Sequence, residues 1–236
     1  MLILKEALDI LFPAKCVICG KLADMNMFNT NICRKCMADF IPVSKTERWQ
    51  FCLSDPYTGD PYPNLPLYVP FRYKGSIVSA VRGLKFGDCP EIGSLFGCLL
   101  GTLMKSEGVR ADMITSVPLS SERLKERGYN QASLIAKETA RITNIPFVED
   151  VLMRVRNTKG QASLKLRESR ISNVSGAFKV RDDFYIEGIT IIIIDDVATT
   201  GNTLHEVSDS LYKSGAKKVL CAAFASNRTL KNAEYY

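Results

Sequence analysis

Apolar residues in the second half of the chain follow two alternating periods, one typical of strands and the other typical of amphipathic helices. Short apolar runs predict strands, and apolar positions three or four residues apart predict helices. The predicted strands cover residues 111–118, 147–155, 189–194 and 218–225. The predicted helices cover residues 90–105, 131–143 and 203–214, and a capping box of Asp88 and Glu91 opens the first. Because strands and helices alternate, we expect an α/β fold, a mainly parallel sheet flanked by helices.

The N-terminal fifty residues have a different pattern. A short amphipathic helix is predicted over residues 2–12 and ends at Pro13. After it, four cysteines form two C-x2-C pairs separated by thirteen residues: Cys16, Cys19, Cys33 and Cys36. Two such pairs can hold Zn(II) in a closed tetrahedral site, which leaves no open position for catalysis. The alternative is four free cysteines in a core. We predict a small zinc ribbon with one structural zinc.

Prolines suggest where the ribbon ends. Five of the ten prolines lie between residues 56 and 70. Because proline and other turn residues interrupt regular structure, this stretch predicts a linker over residues 51–70. The predicted organisation is therefore a helix and zinc ribbon over residues 1–50, the linker, and an α/β domain over residues 71–236.

Positive charge is concentrated in one part of the chain. The net charge is +6, and residues 120–181 alone contain thirteen Lys and Arg against six Asp and Glu. This excess is either a solvated basic face or a site for an anion. The anion could be the phosphates of a small molecule or a nucleic-acid backbone, and charge alone does not choose between them.

Two further features bear on localisation. The longest apolar-rich stretch, residues 92–104, contains three glycines and is far shorter than the ~20 residues that a membrane span needs. The N-terminal segment lacks the charged leader and cleavage site of a signal peptide. We therefore expect a cytoplasmic protein with no membrane insertion.

The segment after residue 189 carries the strongest chemical signal. Its isoleucine run lacks alternation, as expected for a parallel strand buried on both faces. Asp195 and Asp196 follow at the carboxyl end of the strand, where α/β sheets bind ligands. A turn rich in hydroxyl groups then opens the next helix, whose free amides can bind phosphate. The predicted loop residues are Val197, Ala198, Thr199, Thr200, Gly201, Asn202 and Thr203.

Residues 191–203 closely resemble the thirteen-residue 5-phosphoribosyl-1-pyrophosphate (PRPP) motif of type I phosphoribosyltransferases, with Ala198 as a minor departure. Residues 116–131, which include R-L-K-E-R-G-Y-N-Q, are similar to a loop of the ComF family, and residues 84–88 and 154–178 are similar to other segments of that family. With the four-cysteine pattern, these motifs identify the chain as a member of the ComF family. The resemblance implies a type I phosphoribosyltransferase-like fold that binds PRPP with Mg(II).

The resemblance also implies roles for single residues. Asp195 and Asp196 would hold the ribose, with Asp196 as a candidate general base, and the loop would hold the 5′-phosphate. Three sets of cationic residues are candidates for the pyrophosphate: Arg127 with Arg123 as a helper; a mobile basic lid over residues 154–170, including Arg154, Arg156 and Lys159; and Lys85. The lid could instead be a plain basic loop, and Lys85 could be merely solvated. We expect the lone histidine, His205, at the surface.

Two classes of function stay open at this stage. One is a Mg-dependent phosphoribosyltransferase that transfers phosphoribosyl to an unidentified nitrogenous acceptor and releases pyrophosphate. The other is a non-catalytic PRPP-binding or single-stranded-DNA-associated module in DNA uptake, with competence proteins as partners. The intact acidic pair favours the enzyme, whereas the lack of a recognisable aromatic-rich nucleobase pocket favours the module.

Overall fold

The computed structural model describes residues 12–44, 52–54, 61–155 and 176–227. The helix predicted over residues 2–12 lies outside them, apart from its last residue. The described strands are β1 Met25–Met27, β2 Thr30–Ile32, β3 Cys52–Ser54, β4 Pro61–Tyr68, β5 Phe71–Arg72, β6 Met113–Ser116, β7 Leu152–Arg154, β8 Phe178–Val180, β9 Thr190–Ala198 and β10 Lys218–Ser226. The described helices are α1 Arg34–Ala38, α2 Ser76–Phe86, α3 Glu91–Ser106, α4 Ser121–Arg127, α5 Gln131–Thr143 and α6 Asn202–Lys213.

A mainly parallel sheet forms the centre of the described structure. Within the described residues its strand order is β3-β4-β10-β9-β6, and the short β5 also pairs with β10. All of these pairs are parallel except β3 with β4. The carboxyl ends of β6, β9 and β10 therefore lie at the same edge of the sheet. The predicted α/β class and parallel sheet are confirmed.

The central strand β9 is buried on both faces, as its isoleucine run predicts. Ile192 and Ile194 belong to a core shared with α2, α3 and α5. Ile191 and Ile193 belong to a second core, shared with α6, β7 and β8. Because neighbouring residues of a strand point to opposite faces, the two faces of this one strand connect both halves of the domain.

Part of the predicted linker belongs to the sheet, so the linker prediction is wrong for residues 52–54 and 61–68. Strand β4 pairs in parallel with β10 through Leu67 and Tyr68, and Leu65 and Leu67 are buried. Proline lacks the N–H that a strand ladder uses, and it is therefore expected mainly at strand edges and ends. Here the buried leucines between the prolines stabilise the strand in spite of that preference.

Two other local predictions need correction. Asp88 does not cap α3: it has a positive φ of 48° in the turn after α2, and the residue at the N-cap position is Pro90. The strand predicted over residues 147–155 is interrupted by a turn at Asp150, which also has a positive φ. Only residues 152–154 form a strand, and β7 pairs with β8 in a separate antiparallel ribbon. The predicted basic lid, residues 154–170, therefore lies in the sequence between the two strands of this ribbon and does not follow a strand of the central sheet.

The cysteine-containing segment packs directly on the sheet domain. Phe40 contacts Phe71 and Phe224 edge to face, with ring centroids 5.3 and 6.1 Å apart. The Asp39 carboxylate accepts hydrogen bonds from the backbone N–H and the hydroxyl of Ser76, at 2.6 and 2.8 Å, at the start of α2. Three cysteines of the ribbon are buried in the same core as α2 and α3. The ribbon thus contributes both core residues and a helix cap to the domain.

Helices α3 and α5 pack unusually closely along a row of glycines. Gly93, Gly97 and Gly101, four residues apart, face α5. A Cβ atom added at Gly97 would lie 2.5 Å from both the Glu138 Cβ and the Ile135 carbonyl oxygen. The Thr139 hydroxyl donates a hydrogen bond to the Gly97 carbonyl at 3.1 Å, which is possible only at this close approach.

We expect Gly97→Ala to destabilise the protein by about 1–3 kcal/mol, the usual cost of overpacking a core, although alanine is the better helix former. In a domain of this size that loss corresponds to a decrease in Tm of roughly 2–12 °C, measured by thermal denaturation. The control is Gly83→Ala in α2, where the new methyl would meet only the end of the Ile92 side chain, at 3.1 Å. An unchanged Tm for Gly97→Ala would mean that the two helices can separate without cost.

Candidate functional site

Two consecutive residues near the end of β9 carry carboxylates. Asp195 pairs in register with Ala223 of β10, and Asp196 follows it. Because they are neighbours in a strand, their side chains leave on opposite faces of the sheet. Asp196 is 7% exposed, and Asp195 is half-buried. Both line a single cavity of about 320 Å³ at the carboxyl edge of the sheet.

Lys85 reaches the acidic pair from the last turn of α2. Its Nζ lies 2.7 Å from Asp196 Oδ2, and the two side chains are 26% and 10% exposed. Of the two possibilities that the sequence left open for Lys85, solvation at a helix end is therefore wrong. Burial of this pair means that water screens it less than it would a surface ion pair.

The pKa of the Asp195 carboxyl group departs from its ordinary value. Its Oδ1 accepts a hydrogen bond from the Asp196 backbone N–H at 2.8 Å. Burial, together with the negative charge of Asp196, raises the pKa of Asp195 to about 7, although this N–H and Lys85 act in the opposite direction. A carboxyl group with a pKa near neutrality can exchange a proton at physiological pH.

The predicted phosphate loop joins β9 to α6. Gly201 adopts a left-handed conformation with φ of 84°, and α6 begins at the next residue. Val197, Thr199 and Thr203 line the cavity. Ala198 and Gly201 are buried, whereas Thr200 and Asn202 are exposed. The loop thus presents hydroxyl groups and the N-terminal amides of a twelve-residue helix to the cavity.

Arginines approach the cavity from two directions. Arg123 and Arg127 come from α4, which is capped by the Ser120 side chain after the loop that follows β6. Arg127 donates to Gln131 Oε1 at 2.9 Å, and its guanidinium lies 5.0 Å from the Phe86 ring centre. The Arg127 Nε is buried and has no hydrogen-bond partner within the described residues.

Arg154 lines the same cavity from the end of β7. Its guanidinium lies 5.3 Å from the Phe178 ring centre. Burial and the nearby Arg123 lower the pKa of Arg154, while Glu206 and Asp195 act in the opposite direction. Arg156 and Lys159, the other predicted lid residues, lie outside the described residues. The Val155 N–H donates a hydrogen bond to the Ala177 carbonyl at 2.9 Å, so the described residues on either side of that segment lie next to each other.

The cavity as a whole favours anions. Its described lining includes four cationic and two acidic side chains: Lys85, Arg123, Arg127 and Arg154 with Asp195 and Asp196. Tyr73, Asn130 and Gln131 also line the cavity, although they are not among the predicted site residues. Asn130 and Gln131 could have been found because they complete the R-G-Y-N-Q run after Arg127. His205 is half-buried in α6 and is not among the residues that line this cavity in the described structure.

The four cysteines come together as their spacing predicts. The Sγ atoms of Cys16, Cys19, Cys33 and Cys36 all lie within 4.8 Å of one another. Backbone N–H groups outweigh the effect of burial at Cys16 and lower the pKa of its thiol to about 7. Four convergent thiols, one of them readily ionised, fit the requirements of a tetrahedral metal site. The cluster could therefore hold a zinc ion.

Within the described part of the chain, no helix combines the length and apolar character needed to cross a bilayer.

Comparisons with known proteins agree with this arrangement. A family profile described as "Phosphoribosyl transferase domain" matches residues 130–236. "DNA utilization protein YhgH" from Salmonella typhimurium is 35% identical over 144 residues, which are 59% of this chain and 62% of that protein. "Competence protein F" from Haemophilus influenzae is 34% identical over 46% of this chain and 47% of its own length. "Competence protein ComFC" from Bacillus subtilis is 32% identical over 61% of this chain and 57% of its own length.

The chain is therefore similar to proteins of the ComF type, and its second half matches the phosphoribosyl transferase profile. The matched region spans less than two thirds of the length of each of these three relatives. The profile match and the sheet topology together establish a type I phosphoribosyltransferase-like fold. The profile covers β9, the phosphate loop and α6, but it begins after Lys85, Arg123 and Arg127.

Proposed function

We propose that this ComF-like chain is a Mg-dependent phosphoribosyltransferase, which transfers phosphoribosyl from PRPP to a nitrogenous acceptor and releases pyrophosphate. The observation that carries the proposal is the acidic pair of β9, which lines the same cavity as a phosphate loop and four cationic side chains. A site for a phosphate anion alone would gain nothing from two carboxylates. A sugar phosphate, in contrast, has hydroxyl groups that can donate hydrogen bonds to them.

Each part of PRPP then has a complementary group in the site. The amides of the loop and the hydroxyls of Thr199 and Thr203 bind the 5′-phosphate. Asp195 and Asp196 accept hydrogen bonds from the ribose hydroxyls. Arg123, Arg127 and Arg154, which line the cavity, neutralise the pyrophosphate group. Mg(II) bound together with PRPP would supply additional positive charge at the leaving group.

The transfer itself needs charge stabilisation and one proton acceptor. The bond between ribose C1 and the pyrophosphate oxygen breaks, and its electron pair leaves with pyrophosphate, as the acceptor nitrogen forms a bond to C1. The arginines stabilise the departing charge. The acceptor nitrogen loses a proton, and Asp195 is the better base because its pKa is about 7. Asp196, the base suggested by the sequence, is already paired with Lys85.

We further propose that Cys16, Cys19, Cys33 and Cys36 hold one structural zinc. Their mutual distances support this assignment.

A second candidate function is a PRPP-binding or single-stranded-DNA-associated module in DNA uptake, with competence proteins as partners. The observation that favours it is Phe86, which is 70% exposed beside Lys85 and stacks with Arg127. Exposed aromatic rings next to arginines bind unpaired bases in a sequence-tolerant manner. The same ring could equally stack against a planar acceptor of the transferase, so Phe86 alone does not decide between the two functions.

Two experiments in sequence test both functions. The first is calorimetric titration with PRPP and Mg(II), and the second is a screen for pyrophosphate release across nitrogenous acceptors. We expect PRPP to bind with one site per chain and at least one acceptor to release pyrophosphate. Binding of PRPP without release for any acceptor, together with binding of a labelled oligonucleotide, would favour the module. No binding of PRPP would contradict the transferase.

A further inference from the structure

The C-terminal turn of α2 is held by two side chains from the segment that follows α4. The Leu84 carbonyl lies in this last turn, where carbonyl groups lack the regular donor of a continuing helix. It accepts hydrogen bonds from the Tyr129 hydroxyl at 2.8 Å and from Gln131 Nε2 at 3.4 Å. These two bonds fix the position of the residue that immediately precedes Lys85.

Gln131 also binds the other half of the anion site. Its side chain is 2% exposed, and its Oε1 accepts the hydrogen bond from Arg127. One buried amide therefore connects the arginine of α4 to the end of α2. Because both ends of the amide have partners, its orientation is defined by the network itself.

Lys85 is the charged group that this network presents to the cavity. Its ammonium lines the cavity together with Arg123 and Arg127. Asp196 is its ion-pair partner within the described residues. An ammonium group has three N–H donors and can thus bind Asp196 and a phosphate oxygen at the same time.

We propose that Lys85 contacts the pyrophosphate group of PRPP, and that Tyr129 and Gln131 are positioning residues that hold Lys85 in place through the Leu84 carbonyl. The inference rests on the proposed binding of PRPP. It adds a cation from α2 to the arginines of the pyrophosphate site, and it assigns a purpose to the buried Gln131.

The test for Lys85 uses calorimetric titration with Mg(II) and three probes: PRPP, pyrophosphate and ribose 5-phosphate. Lys85→Met should weaken binding of PRPP and of pyrophosphate about tenfold or more, the effect of one charge-assisted hydrogen bond. Ribose 5-phosphate should keep its affinity within about twofold, and Lys85→Arg should restore part of the loss for PRPP and pyrophosphate. An equal loss for ribose 5-phosphate would overturn the proposal, because Lys85 would then serve only Asp196.

The positioning residues are tested by a double-mutant cycle. Tyr129→Phe removes one donor to Leu84, and Gln131→Glu removes the other but keeps the acceptor for Arg127. The combined variant should lose pyrophosphate affinity as Lys85→Met does, and adding Lys85→Met to it should cause little further loss. If the losses of pyrophosphate binding free energy in the combined variant and in Lys85→Met simply add, the positioning role is overturned. Should the combined variant fail to fold, the same cycle with Tyr129→Phe alone applies, since that change removes a single hydroxyl.

Failure of this inference is distinguishable from failure of the proposed function. If the unmodified protein binds neither PRPP nor pyrophosphate, the proposed function is overturned and this inference falls with it. If the unmodified protein binds both but Lys85→Met binds pyrophosphate equally well, only the role of Lys85 is overturned.

Discussion

Replacing both carboxylates of the acidic pair, with Asp195→Asn and Asp196→Asn together, should weaken the binding of Mg-PRPP about 100-fold or more. Each carboxylate contributes charge-assisted hydrogen bonds to the ribose, worth roughly 1.5–3 kcal/mol apiece. Isothermal titration measures the loss directly. A matched control is Asp209→Asn, because Asp209 is a carboxylate on α6 that pairs with Lys213 at 2.6 Å. Unchanged affinity in the double variant would contradict the site assignment.

Stability measurements separate a ligand-binding role of Asp195 from a structural role. The folded-state pKa of about 7 is raised above the ordinary value of 3.8, so the folded protein binds the proton more tightly than the unfolded chain does. The free energy of unfolding contributed by Asp195 therefore decreases as pH rises through this interval. At pH 8 the variant Asp195→Asn should be more stable than the unmodified protein, and at pH 4 this advantage should disappear. A lower Tm at pH 8 would indicate a structural carboxylate.

Loss of the proposed zinc should have the largest effect on stability. We expect one zinc per chain by metal analysis and a decrease in Tm of about 10 °C or more for Cys36→Ser, because structural zinc contributes many kcal/mol to small ribbons. The ribbon also contributes Phe40 and the Asp39 cap to the domain, so the loss should extend beyond the ribbon. Cys89→Ser is the control, since Cys89 lies outside the four-cysteine cluster. Zinc content well below one per chain in the unmodified protein would contradict the assignment.

Local sequence patterns predicted several elements correctly, because the residues that form these patterns also determine where the elements begin and end. Helix α5 has the predicted bounds because Asn130 caps its start and Asn144, in a left-handed conformation, ends it. Strand β9 extends past the predicted isoleucine run through both aspartates, since its pairing with β10 continues to Ala198. The four cysteines converge because two C-x2-C turns leave few other geometries.

Other features depend on contacts between distant parts of the chain. Lys85 and Asp196 are far apart in sequence, and only the packing of α2 against the sheet brings them within 2.7 Å. Strand β4 was missed because its prolines outweigh its leucines in a local pattern, whereas its partner β10 lies near the other end of the chain. Gln131 belongs to the R-G-Y-N-Q run, but its two hydrogen bonds depend on partners in other elements, Arg127 and Leu84.

The Asp39 cap on Ser76 has a practical meaning for work on the isolated protein. Helix α2 begins at this cap and carries Lys85 near its other end, about 14 Å away at 1.5 Å per residue. A chain stripped of zinc would lose the cap and, with it, a firm support for the lysine, although no cysteine touches the ligand. The fraction of molecules competent to bind PRPP in a preparation should therefore follow its zinc content. A titration that saturates below one ligand per chain would then report incomplete metal loading rather than two subunits sharing one site.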